Sequence, residues 1–387
     1  MATYREFPGP GFLPVYERSR SFSNSVRRGF RRFLFSDYFT LYISIGYFVI
    51  LASRIETIYQ PLNLTNMLGN VWPLLAIAVG QTFVLLIGGI DLSQTSIMAI
   101  SSVAGAVIMS NKVDPVLFQK SPLWGILLTE KGGLLAGYDY AWLVAVWVML
   151  LIGVLIGLLN GLAITRFNMP PFMVTLVSMS FFSALAIYLV KTENVRNLPE
   201  AYINLGKGDV ISIYLGQKAK EISRRDVLSF ITYPALIATT LALVMNLLLT
   251  RTVFGRYVYA VGTNRRAAQI SGVPTVRVTI LVYMLSGFCA AVAGILYSAR
   301  LEAGRPTLGD NMLLNVVGAT VIGGTSLFGG KGKIKWTIFG VIFFVLLENS
   351  LTKMNLSAFY IDIVKGSVIL LAALIDVTRT RLLTQER

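Results

Sequence analysis

Long apolar runs alternate with short polar segments along almost the whole chain. The clearest run, residues 140–165, contains no charged side chain, and about 20 apolar residues suffice to cross the hydrocarbon core of a bilayer. Lipid offers no hydrogen-bond partner to an open backbone, so each run is expected to form a helix. The pattern predicts an all-α polytopic membrane protein of about ten transmembrane helices, at residues 38–57, 67–90, 92–111, 140–165, 171–190, 228–250, 277–300, 312–325, 334–352 and 358–376.

The distribution of basic residues predicts the orientation of these spans. Ten spans place both termini on one side of the membrane, and the segments on that side hold more Lys and Arg than those on the other side. Because cytoplasmic segments are enriched in these residues, both termini are predicted to be cytoplasmic. The chain then divides into a basic N-terminal tail (1–37), a transmembrane domain (38–376) and a C-terminal cytoplasmic tail (377–387). The N-terminal tail holds seven Arg and no Lys, and it forms either a helix on the anionic membrane surface or a solvated tail.

Composition narrows the function. Hydrophobic residues make up 55% of the chain and charged residues only 14%, where a soluble domain carries about 25% charge. The net charge of +15 is therefore attributed to basic cytoplasmic loops that face anionic lipid headgroups, and no nucleic-acid partner is expected. The chain has no His and a single Cys, Cys289, so the usual general base, an intrachain disulfide and a His- or Cys-based metal cluster are excluded.

The loop at 255–274 is the most informative polar segment. Asn264 is a candidate N-cap, the residues after it make about two helical turns, and Gly272 suits the left-handed position that follows a helix end. A short capped helix on the cytoplasmic face is what a docking element for a partner requires. An ordinary connector containing one helical turn remains the alternative.

Three further loops carry distinctive residues. The glycine-rich run 323–333 lacks the Lys-Ser/Thr ending of a phosphate-binding loop and joins two spans, so a tight turn is predicted. Asp91, between the second and third spans, is expected to cap the third span, with a gate or a partner contact as the alternative. Pro170 and Pro171 are expected to form a tight turn that starts the fifth span.

Small and polar residues mark the interior of the spans. Gly153, Gly157 and Gly161 recur at a spacing of four, which lets helix backbones approach closely. Among ionisable residues Glu348 is the most isolated, whereas Asp362 and Lys365 stand three apart and are expected to pair. Uncharged polar groups that suit a route for a polyhydroxylated solute, or that bond neighbouring helices, are Gln81, Asn160, Thr175, Ser178, Asn315 and Asn349.

Five stretches together resemble a known family. They are GGIDLS (88–93), MPPFMVTL (169–176), FGRYVYAVGTNRRAAQISGV (254–273), LVYMLSG (281–287) and VIGGTSLFGGKG (321–332). In this order they are similar to the permease subunits of ribose-, xylose- and galactose-type ABC importers, over roughly residues 60–376. Two positions depart from the family pattern. Relatives commonly carry an acidic residue just before the eighth span, where this chain reads Leu313-Leu314-Asn315, and Glu348 stands where an uncharged amide is expected.

The resemblance implies partners and roles. It implies a non-catalytic permease in a bacterial inner membrane that pairs with a second permease, either an identical copy or a related chain. It also implies two ATPase subunits that hold ATP and Mg²⁺ and a separate sugar-binding protein. No cofactor is expected on this chain itself. The ATPase-coupling element implied within 251–276 comprises Gly262, Asn264, Arg265, Arg266, Ala267, Ala268, Ile270, Ser271 and Gly272.

Two other classes of function compete with this interpretation. An ion-coupled secondary sugar transporter is the main alternative, and the scarcity of acids within the spans disfavours it. A membrane-embedded enzyme would need clustered carboxylates or histidines at one depth, and the chain has no histidine.

Overall fold

The computed structural model describes residue 36, residues 38–214 and residues 227–385, so the predicted N-terminal tail lies almost wholly outside the described residues. The helices and strands are α1 (Phe39–Arg54), α2 (Pro61–Leu86), α3 (Gln94–Met109), α4 (Pro115–Phe118), α5 (Ala141–Arg166), α6 (Pro171–Val190), α7 (Glu200–Lys207), β1 (Asp209–Tyr214), β2 (Val227–Thr232), α8 (Tyr233–Arg251), α9 (Val253–Thr263), α10 (Arg265–Ile270), α11 (Thr275–Leu301), α12 (Leu313–Gly323), α13 (Ile334–Lys353) and α14 (Ala358–Gln385). Two 3₁₀ turns, Glu56–Tyr59 and Asp310–Met312, precede α2 and α12.

Each of the ten predicted spans corresponds to a helix. Within the described residues, seven helices are long and apolar enough to cross a membrane: α2, α5, α6, α8, α11, α13 and the Ala358–Ile375 part of α14. The other three, α1, α3 and α12, are shorter, and α12 has only 11 residues. A polytopic helical bundle is therefore confirmed.

The core of the bundle is a close pairing of α5 with α11, flanked by α2 and α3. A Cβ atom at Gly157 would overlap the carbonyl oxygen of Tyr283, and one at Gly161 would lie 2.8 Å from Ile280 Cα. Gly153 and Gly287 meet backbone to backbone in the same way. The predicted role of the glycine series in close helix packing is confirmed.

Several boundaries differ from the sequence prediction. The segment after α6 contains the helix α7 and an antiparallel pair, β1 and β2, so the predicted span 228–250 begins as a strand. The second span ends at Leu86 rather than residue 90, because Gly88 adopts a positive φ of 75° that terminates the helix. Helix α9 was not predicted, and α14 continues to Gln385, past the predicted boundary at residue 376.

The ends of the helices define two faces of the bundle. The α10 face carries α9, α10, the loop 87–93 and the loop 324–333. These parts are joined by hydrogen bonds from Gly330 N to the carbonyl of Leu86 (2.8 Å) and from Tyr259 Oη to the carbonyl of Gly332 (2.7 Å). The opposite α7 face carries α7 and the β hairpin, where Lys207 pairs with Glu302.

Candidate functional site

Helix α10 stands on the α10 face as a short, capped and exposed element. The side chain of Asn264 accepts a hydrogen bond from Ala267 N at 3.0 Å, as predicted for an N-cap. At the other end Gly272 takes a φ of +84° and closes the helix. Ala268 is buried against the bundle, whereas the Ile270 side chain is 81% exposed.

The remaining predicted coupling residues lie around the same helix. The side chains of Arg265, Arg266 and Ala267 are exposed, and so is Ser271, which forms the C-cap. Gly262 lies close to Gly329, since a Cβ atom added at Gly329 would stand 2.8 Å from the carbonyl oxygen of Gly262. The arrangement presents two guanidinium groups and one isoleucine to a partner, above a backbone that the bundle holds in place.

A junction of glycines fixes α9 and α10 to the bundle. Gly329 packs against both Gly262 and the backbone of Gly88, and Gly330 donates to Leu86. Three of the sequence motifs singled out above therefore meet at one point, where side chains would separate the backbones. Burial raises the pKa of Tyr259, so its hydroxyl stays protonated and donates to Gly332.

Asp91 lies directly beneath this junction and is 1% exposed. Its Oδ1 accepts from Ser93 N (3.0 Å) and Ser93 Oγ (2.6 Å), and its Oδ2 accepts from Ser286 Oγ (2.6 Å). Ser93 N–H precedes the first turn of α3, which has no side-chain cap. The predicted cap of the third span by Asp91 is thus wrong: the carboxylate joins the α2–α3 loop to α11.

The predicted pathway residues separate into two groups. Asn160 donates to Ser93 Oγ (2.9 Å) and Thr175 Oγ1 to the carbonyl of Ile90 (3.2 Å), so both belong to the Asp91 network. Pro170 and Pro171 start α6 beside Thr175, as the predicted turn requires, and Ser178 is buried one turn further along. Gln81 is fully buried in α2, and its amide has no hydrogen-bond partner among the described residues.

Asn315 and Asn349 form the other group, near the ends of α12 and α13 that lie toward the α7 face. Asn315 Nδ2 donates to Glu348 Oε2 at 2.8 Å, and Lys365 Nζ lies 3.0 Å from Glu348 Oε1. Asn349 exchanges two hydrogen bonds with Asn63. Glu348 is therefore not isolated. The predicted pair of Asp362 and Lys365 is present at 4.0 Å, and Glu348 is the nearer partner of Lys365.

Sequence reasoning missed the residues that complete the hydrogen-bond network around Asp91. Ser93, Gln94 and Ser286 surround Asp91, and Gln94 Nε2 donates to Ser286 Oγ at 2.7 Å. Asp91 and Ser286 are 195 positions apart, so only the fold brings them together. The recurrent serines on α3 and α11 were the one available signal, since buried hydroxyls require partners.

Comparison with known proteins identifies the class. Residues 63–373 match the family described as the branched-chain amino acid transport system / permease component. The chain belongs to this permease family. It is 34% identical to the ribose import permease protein of Bacillus subtilis (strain 168), over 87% of this chain and 91% of that protein.

Two further relatives agree with this membership. The L-arabinose ABC transporter permease protein of Azospirillum brasilense is 30% identical over 85% of this chain and 84% of that protein. The D-allose transport system permease protein of Escherichia coli (strain K12) is 26% identical over 91% and 95%. No solved structure matches the chain. The resemblance to the permeases of monosaccharide ABC importers is confirmed, and the permease is a multi-pass membrane protein.

Proposed function

We propose that this permease is the membrane subunit of an ATP-driven importer that moves a monosaccharide or related polyol across the bacterial inner membrane. Helix α10 docks on ATPase subunits, which bind ATP and Mg²⁺, and a separate binding protein delivers the sugar at the α7 face. The α10 face is then cytoplasmic, as are both termini. The observation that carries the proposal is a capped helix whose tip, Ile270, is 81% exposed while its base is fixed by the glycine junction.

The structure suggests how force on α10 would reach the spans. Helix α10 is followed directly by α11, which forms the centre of the bundle and bonds Asp91 through Ser286. A push on α10 by closing ATPases therefore acts on α11 and on the α2–α3 loop together. Alternating access would follow as a rigid-body movement of packed helices, which interfaces of this kind permit.

The cluster of Asn315, Glu348 and Lys365 marks the proposed sugar route. The Glu348 side chain is 42% exposed although it lies on an apolar spanning helix, whereas Lys365 is 3% exposed. A charge in that position is costly against lipid, so water, sugar or a second permease copy must cover it. The adjoining α12 ends after 11 residues at Gly323, and such broken helices are tolerated where they line a cavity or meet protein.

The coupling assignment is tested by charge reversal on α10. Arg265→Glu combined with Arg266→Glu should leave the permease in the membrane but abolish sugar-stimulated ATP hydrolysis in proteoliposomes. Arg166→Glu combined with Arg277→Glu is the matched control, because it makes the same charge change on the same face at exposed residues outside α10. Full activity of the α10 variant, or equal loss in the control, contradicts the assignment.

One observation favours the alternative of ion-coupled secondary transport. Asp91 is a fully buried carboxylate between spans, and such groups occur in proton relays. Its oxygens already accept three hydrogen bonds, two of them from hydroxyls at 2.6 Å, which suits a fixed structural anion. An importer driven by ATP keeps transporting in proteoliposomes that contain an uncoupler and ATP, and uptake abolished by the uncoupler alone supports the alternative.

A further inference from the structure

A polar cavity of about 350 Å³ opens at the α7 face between α2, α7, the β hairpin, α8 and α11. Its charged lining residues are Lys207, Asp209 and Arg300. Lys207 is neutralised by Glu302. Among the described residues neither Arg300 nor Asp209 takes part in an ion pair. The cavity therefore offers one cation and one anion that no described charged side chain neutralises.

Arg300 is held in a fixed position at this cavity. Its guanidinium lies across α2 at Gly69, where an added Cβ would stand 2.8 Å from Arg300 Cζ. It donates to the side chain of Asn70 and, at 3.3 Å, to the carbonyl of Asn66. These two bonds leave N–H donors of the guanidinium unused, Arg300 lines the cavity, and a planar guanidinium is suited to bidentate contact with a phosphate.

A second, apolar cavity adjoins the first. It is a groove of about 590 Å³ between α1, α2 and α13, and it shares Leu68 and Trp72 with the polar cavity. Ser44 is its single polar lining residue, and that hydroxyl is already bonded to the carbonyl of Thr40. Ile45, Leu68 and Ile342 are each more than a third exposed, so the groove opens toward the surroundings of the bundle.

We propose that the two cavities together bind one glycerophospholipid with an ammonium-bearing headgroup. The phosphate contacts Arg300, the ammonium pairs with Asp209, and an acyl chain fills the groove between α1, α2 and α13. Trp72 and Leu68 line both cavities, so one ligand can reach from the first cavity into the second. A free sugar would use the polar cavity and leave the adjoining apolar groove uncovered, so the lipid accounts for both.

The chemistry distinguishes this ligand from its fragments. Phosphatidylethanolamine supplies phosphate, ammonium and chains, whereas phosphatidylglycerol lacks the ammonium, diacylglycerol lacks the phosphate, and phosphoethanolamine lacks the chains. The test titrates each of these into the delipidated full-length permease in detergent and counts bound molecules by native mass spectrometry. One phosphatidylethanolamine per permease chain is expected, with weaker binding of the other three.

Variants assign the contacts. Arg300→Gln should weaken phosphatidylethanolamine binding about tenfold, the effect of losing one charge-assisted hydrogen bond, whereas Arg196→Gln, an exposed arginine outside the cavity, should not. Asp209→Asn should abolish the preference over phosphatidylglycerol. Ile342→Trp, which fills the groove, should reduce binding at least as much as Arg300→Gln. Leu155→Trp, on the exposed surface of α5, is the matched control.

Four results would overturn the proposal. They are equal binding by Arg300→Gln and Arg196→Gln, binding of diacylglycerol as tight as that of the phospholipid, binding of phosphoethanolamine as tight as that of the phospholipid, and saturable binding of the transported sugar in the cavity that Arg300→Gln removes. The last two identify a headgroup-sized anion site or a sugar site instead. Each variant is first compared with the wild type by size-exclusion chromatography, and a variant that fails to fold is replaced by Arg300→Lys or Ile342→Phe.

Discussion

The most apolar parts of helices α11 and α14 have nearly equal mean hydropathy, 2.1 and 2.0, but very different surroundings. In the most apolar part of α11, 72% of residues are buried inside the chain, whereas in the Ala358–Ile375 part of α14 only 6% are. Helix α11 packs against α5 through paired glycines, with its backbone touching the backbone of its neighbour. Helix α14 presents large apolar side chains such as Phe359 and Leu370, 82% and 61% exposed.

The difference separates a core that the chain packs by itself from a surface that only lipid or another protein can cover. The α5–α11 core is held by steric fit, which does not depend on a partner. The surface of α14, with the half-exposed Glu348 beside it, requires lipid or a second permease copy to cover it. Substitutions should therefore act on stability in the first region and on assembly or transport in the second.

The largest effect is expected for Asp91→Ala in the core. Its removal leaves the O–H donors of Ser93 and Ser286 and one backbone N–H without their acceptor at a buried site, which costs about 3 kcal/mol in the free energy of unfolding. Unfolding by sodium dodecyl sulfate in mixed micelles measures this loss. Asp114→Ala, which removes only the exposed cap of α4, should cost about 1 kcal/mol. Equal losses would show that Asp91 is not an internal anchor.

Next comes a pair of glycine substitutions, one in each region. Gly157→Ala forces a methyl group into the Tyr283 carbonyl and should destabilise the permease by about 2 kcal/mol. Gly366→Ala in α14 meets no atom within 4 Å and should be neutral or stabilising by up to about 1 kcal/mol, because alanine favours the helix. The same unfolding assay compares them, and a reversed order would refute the contrast between core and surface.

A smaller effect on stability is expected for Glu348→Gln. Buried Lys365 then loses its nearest carboxylate, which should cost about 1–2 kcal/mol, since Glu348 is itself partly exposed. Sugar uptake should fall further than this loss of stability explains. Glu348→Gln combined with Lys365→Met should restore stability but not uptake. Uptake restored together with stability would show that the pair is purely structural.

The smallest effect on stability is expected for Asn264→Ala, which removes the cap of α10. The loss of about 1 kcal/mol is confined to a helix of six residues and leaves the core intact. Sugar-stimulated ATP hydrolysis should drop several-fold while unfolding stays close to that of the wild type. Asn264→Asp, which keeps an acceptor at the same position, should retain activity, and equal activity of the alanine and aspartate variants would contradict the role of the cap.

The parts that sequence predicted depend on local patterns. Apolar run length located the ten helices, and the residues Asn264 and Gly272 located both ends of α10, since caps act within a few residues. Helix α9 was missed because Gly255 and Gly262 suggest a loop. Both glycines are instead required by close contacts with Leu249 and Leu86 that no local pattern reveals.

The parts that sequence did not predict depend on distant residues. The Glu348–Lys365 pair joins α13 to α14, and a default pairing of Lys365 with Asp362 was the natural local expectation. The Asp91 network joins the α2–α3 loop to α5 and α11. Such contacts follow from how the helices pack, and hydropathy locates the apolar segments without fixing how deeply each is buried or which neighbour it meets.

Cross-linking from α10 tests the central claim most directly. The native Cys289 is fully buried, so Ile270→Cys provides one accessible thiol at the tip of the helix, and Phe359→Cys provides one of nearly equal exposure at the start of α14. With a short thiol–amine cross-linker on the assembled transporter, Ile270→Cys should attach to an ATPase subunit and Phe359→Cys should not. No ATPase adduct from Ile270→Cys, or equal adducts from both positions, would contradict the proposal that α10 is the docking helix.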